Sequence, residues 1–91
     1  VEFEWDEANR RSNLRKHGLD FVGIEVVFEG ATVSILDDHA DYGEERFVTF
    51  GLLDGRVVAV AHTETGTAIR VISVRKATKD EESSYFKEIA D

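Results

Sequence analysis

Ninety-one residues without a single cysteine make one small domain, 1–91, that must fold without disulfides, thiolate nucleophiles or Cys-based metal sites. With 42% apolar and 33% charged residues the chain is globular, not disordered. A formal net charge of −8 argues against a broad electrostatic grip on nucleic acid, permits a local basic site, and favours a basic partner.

There is no signal-peptide pattern and no run of about 18 apolar residues to cross a bilayer, so a cytoplasmic location is expected. The chain contains no Met, so the start of translation is expected upstream.

In chain order, "VEFEW" alternates Val1, Phe3 and Trp5 with Glu2 and Glu4, the pattern of a half-buried strand. Asp6 can cap a polar helix over 7–17, whose end is marked by Lys16, His17 and Gly18. Asp20 offers a second cap. Leu19 and Ile24 are spaced as a hydrophobic staple, and Phe21, Ile24, Val27 and Phe28 form one face of a short helix over 21–29, ended by Gly30.

The period then changes to that of strands. "ATVSIL" is followed by the polar loop Asp37 to Glu45, then "RFVTFGLL". Asp54-Gly55 signals a type I′ turn into "RVVAVAHTE". A turn around Thr65-Gly66-Thr67 leads into "IRVISVRKA". Thr78 and Glu81 make a capping box for a last helix with Tyr85, Phe86 and Ile89 as its buried stripe. The order β-α-α-β-β-β-β-α, with consecutive hairpins, predicts an α+β fold: a mostly antiparallel sheet with helices packed on it.

No P-loop, dinucleotide fingerprint, zincin or nucleophile-elbow motif is present. Asp37, Asp38, His39 and Asp41 match no known ligand spacing and read as a solvated turn; no metal or cofactor is expected. A two-residue Asp54-Gly55 turn pairs Phe47 with His62 and sets Arg46 opposite Thr63. His62, near a strand end, is a candidate general acid or base.

Strict alternation in the last strand sets Arg70 and Lys76 on one face and Arg75 on the other. A Thr65-Gly66 loop pairs His62 with Ile69 and brings Arg75 to its face; a three-residue loop reverses the parity or forces a bulge. The cations suit either pairing with acidic neighbours or a phosphate site, and Lys76 sits near the strand-to-helix corner at Thr78.

Four segments together resemble the BrnT family of small toxins from bacterial type II toxin–antitoxin modules: "FEWDEANRRSNLRKHGLDF" (Phe3 to Phe21), "GEERFVTFG" (Gly43 to Gly51), "GRVVAVAHTE" (Gly55 to Glu64) and "IRVISVRKAT" (Ile69 to Thr78). The resemblance implies a RelE-like fold and a ribonuclease that suppresses translation. It also implies a cognate, BrnA-like antitoxin with a ribbon-helix-helix domain, through which the complex would bind operator DNA. By position, the family's polar pattern falls on Lys16, His17, Glu44, Arg46, Arg70 and Arg75.

The resulting expectation is a metal-independent endoribonuclease in which the RNA 2′-hydroxyl is the nucleophile. His62 or Glu44 would be the base, Arg46, Arg70 and Arg75 would stabilise the phosphate, and Lys16, His17 and Lys76 would bind RNA. The rival expectation is a non-catalytic binding module, partner or co-repressor of a ribbon-helix-helix protein, with the arginines as partner contacts.

Overall fold

The computed structural model describes residues 1–37 and 45–90. Its elements are β1 (Glu2–Trp5), α1 (Glu7–His17), α2 (Glu25–Glu29), β2 (Val33–Asp37), β3 (Arg46–Leu53), β4 (Arg56–Thr65), β5 (Ala68–Lys76) and α3 (Lys79–Ala90). They form an α+β fold in the expected order. The five strands make one sheet, β1-β5-β4-β3-β2, antiparallel except for β1, which runs parallel to β5.

Local chemistry sets most of the boundaries. The Asp6 carboxylate accepts from the N–H of Ala8 at 2.8 Å and opens α1. Gly18 closes it at φ 71°, donating its N–H to the Leu14 carbonyl. Asp54 and Gly55 both have positive φ, as a type I′ turn requires, and the register runs Leu53↔Arg56 to Phe47↔His62 as expected. Thr78 and Glu81 form the reciprocal capping box.

Three expectations need correction. The second helix starts at Glu25 rather than 21, because Gly23 takes φ 91° and the Asp20 side chain bonds the Val22 N–H in a turn. Phe21, Ile24 and Val27 are fully buried all the same. In α3 only Tyr85 is buried, while Phe86 and Ile89 remain 46% and 37% exposed. The turn between β4 and β5 is Gly66-Thr67, flanked by the Thr65↔Ala68 pair, so neither anticipated loop is used.

Helices cover both faces of the sheet. On one, α1 and α2 bury Phe21, Ile24 and Val27 against Val58, Val60, Val71 and Val74, with Phe3, Trp5 and Phe28 at the margin. On the other, α3 sets Tyr85 against Phe50, Val57 and Ala59, and the Tyr85 hydroxyl donates to the Ala31 carbonyl at 2.8 Å. α2 packs tightly on β3: a Cβ at Gly51 would lie 2.7 Å from Val27 Cγ1.

Beyond the end of β1 the outer edge of β5 is closed by a side chain. Buried Asn13 donates to the carbonyls of Leu19 (2.9 Å) and Val74 (3.0 Å) and accepts from the Val74 N–H (3.0 Å). One helix residue thereby replaces the missing strand.

Candidate functional site

The pairing of β4 with β5 contains a bulge. Ala61 pairs with Ser73 but His62 pairs with Val71, leaving Ile72 as the extra residue in β5. The extra residue reverses the parity of everything after it. Arg70, opposite Thr63, and Arg75, opposite Ala59, therefore lie on the same face, that of α3. Strict alternation had set them on opposite faces. Lys76, opposite Val58, falls on the α1–α2 face.

On the α3 face, past the part covered by Tyr85, one transverse row crosses all five strands. Glu4 pairs with Arg70, Arg70 with Thr63, and Arg46 with Asp37; the β3–β4 register continued by one residue places Arg46 opposite Thr63. Neighbouring strands are about 4.8 Å apart, so two guanidinium groups rise from alternate strands of one row with carboxylates on both sides. Thr63 is buried between them, Arg46 is half-buried, and Glu4 and Arg70 are exposed. Phe3 and Trp5 pack with Phe28 and Phe21 on the opposite face, which directs Glu4 to the arginine side.

Arg75 is engaged elsewhere. Its guanidinium forks onto Glu81 at 2.7 and 2.9 Å, tying β5 to the first turn of α3. That hydrogen-bonded pair holds the Glu81 carboxyl down at about 2 and raises the arginine.

His62 lies on the far side of the sheet from the arginine row. It is 2% exposed, stacked on Phe47 at 5.7 Å and edge-on to Phe28 at 5.4 Å. Its Nε2 is 2.7 Å from Thr49 Oγ1, which in turn contacts Ser34 Oγ at 2.7 Å; Nδ1 has no hydrogen-bond partner among the described residues. Burial lowers its pKa, against smaller opposing effects from Glu64 and the Thr63 backbone. The imidazole anticipated as acid or base is thus a core side chain, separated from Arg46 and Arg70 by the thickness of the sheet.

The remaining cations lie around α1. Lys16 and His17 join Asn9, Ser12 and the bulge residues Ile72 and Ser73 around a groove of about 160 Å³ at the outer edge of β5. His17 also borders a larger groove of about 540 Å³, with Arg56, Lys76 and Asp54 on its rim and Leu53 and Val58 on its floor. The structure therefore divides the expected residues that it describes into an arginine row, Arg75 paired with Glu81, a basic edge near α1, and an interior histidine. Glu44 lies outside the described residues, as do Asp38, His39 and Asp41.

Glu4 and Asp37 were missed as members of the row. Glu4 reads from sequence only as the polar half of an alternating strand. Its place beside Arg70 depends on the parallel β1–β5 pairing, for which adjacent residues carry no signal.

Among the described residues no helix is long and apolar enough to cross a membrane, and no group of three or more His, Asp or Glu residues is placed to hold a metal ion. A search of curated proteins finds no match. Residues 5–81 match the family described as the ribonuclease toxin, BrnT, of type II toxin–antitoxin systems. With most of its length matched, the chain belongs to the BrnT family of ribonuclease toxins.

Proposed function

We propose that the chain is a metal-independent, RelE-like endoribonuclease toxin that acts in the cytoplasm and inhibits translation by cutting RNA. A ribbon-helix-helix, BrnA-like antitoxin would neutralise it and carry the complex to operator DNA. The observation that carries the catalytic reading is the row in which Arg70 stands between Glu4 and Thr63, with Arg46 one strand further.

Cleavage by the RNA's own 2′-hydroxyl needs two things close together: a base for the hydroxyl proton, and cations for the charge that grows on the non-bridging phosphate oxygens. Arg46 and Arg70 supply the cations, in the fork geometry that suits phosphate. Glu4 is the described carboxylate beside Arg70, and Glu44 is, with His62, one of the two bases expected from the sequence. The 2′-oxygen bonds to phosphorus, the 5′-oxygen leaves and takes a proton, and the products are a 2′,3′-cyclic phosphate and a 5′-hydroxyl. Lys16 and His17, at the edge of β5, would hold a neighbouring phosphate as the strand passes off the sheet. Lys76, beside the larger groove, would serve a more distant one.

The test is cleavage of a defined RNA by purified protein, with and without chelator. Joint replacement Arg46→Ala/Arg70→Ala is expected to lower kcat/KM by about a hundredfold or more, and one 2′-deoxy nucleotide at the cut site to abolish cleavage. Undiminished cutting by the double variant would reject this face as the active site. Comparing Glu4→Gln with Glu44→Gln assigns the base, since the base variant alone loses the acidic limb of the pH–rate profile.

A further inference from the structure

Among the described residues, β2 is an edge strand with little of the usual protection. Sheet edges are normally guarded by charge, proline, a bulge or a covering segment, because a free edge recruits other strands. The opposite edge follows that rule: β1 exposes Glu2 and Glu4. β2 carries its one charge, Asp37, at its end; from Val33 to Leu36 it has no charge and no proline, and its five-residue register with β3 runs without a bulge. In the sheet it bonds only β3, among the described residues.

Its side chains compound the exposure. Ile35 and Leu36 are 52% and 50% exposed, one on each face of the sheet. On the α3 face, Ile35 and Val33 continue into a groove of about 380 Å³ floored by Phe50 and Tyr85, whose rim carries Asp80 and Glu88 from α3. An apolar floor, an acidic rim and an open backbone edge thus occur side by side.

We infer that the free edge of β2 and its groove with α3 form the docking surface for an extended segment of the antitoxin. That segment would add to the sheet as a sixth strand. It would place alternate apolar side chains against Ile35 and Val33 and basic residues against Asp80 and Glu88. A second copy of the chain fits less well, because it would bring an acidic rim against an acidic rim with −8 on each molecule. The surface of α2 and the turn before it, with Val26 and Val22 exposed, offers apolar area but no strand edge. The inference rests on the antitoxin part of the proposed function and is independent of its catalytic part.

The experiment titrates full-length chain with its cognate antitoxin and follows amide exchange in the complex. Ile35→Lys is expected to raise Kd by roughly tenfold or more, whereas Val26→Lys leaves it unchanged. The Asp80→Lys/Glu88→Lys variant should weaken binding and flatten its salt dependence. Amides of Val33–Leu36 should gain protection on binding, a readout in the unaltered protein that does not depend on any variant folding. Wild-type affinity in Ile35→Lys, no added protection along β2, or a free chain that dimerises through β2 would each overturn the surface. Failure of the unaltered chain to bind the antitoxin at all would instead overturn the partner reading.

Discussion

His62 and Asn13 show what burial does to single polar residues in this chain. The His62 imidazole is held between two rings, with Nδ1 unpartnered among the described residues, so protonation would place a poorly compensated charge in the interior. Its folded pKa is lowered from 6.5. The unfolded chain therefore takes up a proton as pH falls through about 6.5, before the folded chain does. Stability should decline from that pH downward until the lower folded pKa is reached. His62→Gln should flatten the fall of Tm between pH 7 and 5, measured by thermal denaturation; parallel curves would contradict the assignment. Asn13 has the opposite character, since all its bonds are made. Asn13→Leu strands the N–H and carbonyl of Val74 and should cost about 2–4 kcal/mol in denaturant unfolding. A polar residue in a polar helix gives no sequence sign of that role.

Among the elements, the most consequential feature is the single extra residue in β5. The alternating pattern of "IRVISVRK" is accurate on either side of Ile72, and the bulge joins the two halves with opposite parity. This brings Arg75 to α3, where Glu81 answers both the arginine and the Thr78 N–H. Glu81 is held at about 2, below its ordinary 4.5. Its contribution is therefore present above pH 4.5 and lost as pH falls towards 2. Both side chains are partly solvated, so Glu81→Gln should cost only about 1 kcal/mol at pH 7. The difference from the unaltered protein should vanish near pH 2, as urea titrations at several pH values would show. The capping box could be read from Thr78 and Glu81 four residues apart inclusive; the arginine fork could not, because strict alternation turns Arg75 away.

For the whole molecule, net charge and local charge act in opposite directions. The field of −8 opposes the approach of any polyanion, including the RNA proposed as substrate, at distances where Arg46 and Arg70 cannot yet be felt, and favours the approach of a basic partner. Salt screens the long-range part over roughly 8–10 Å near physiological strength. Raising NaCl from low levels to about 0.15 M should leave RNA cleavage at subsaturating substrate unchanged or faster, and should slow association with the antitoxin. Stopped-flow binding and a fluorogenic RNA would measure both. A steep fall in cleavage with salt would point to a grip on many phosphates that the net charge argues against.

The sequence by itself determined the order of elements, the two positive-φ turn residues at Asp54 and Gly55, the caps of α1 and α3, the buried set Phe21, Ile24 and Val27, and the family. Each of these follows from interactions within a few residues or from a side-chain period that one element carries alone. The tertiary structure decided which charges share a surface. Parallel pairing put Glu4 beside Arg70, a bulge moved Arg75 to α3, and a packed sheet enclosed His62. These outcomes depend on contacts between distant segments, and a shift of one residue in strand register reverses every side chain that follows.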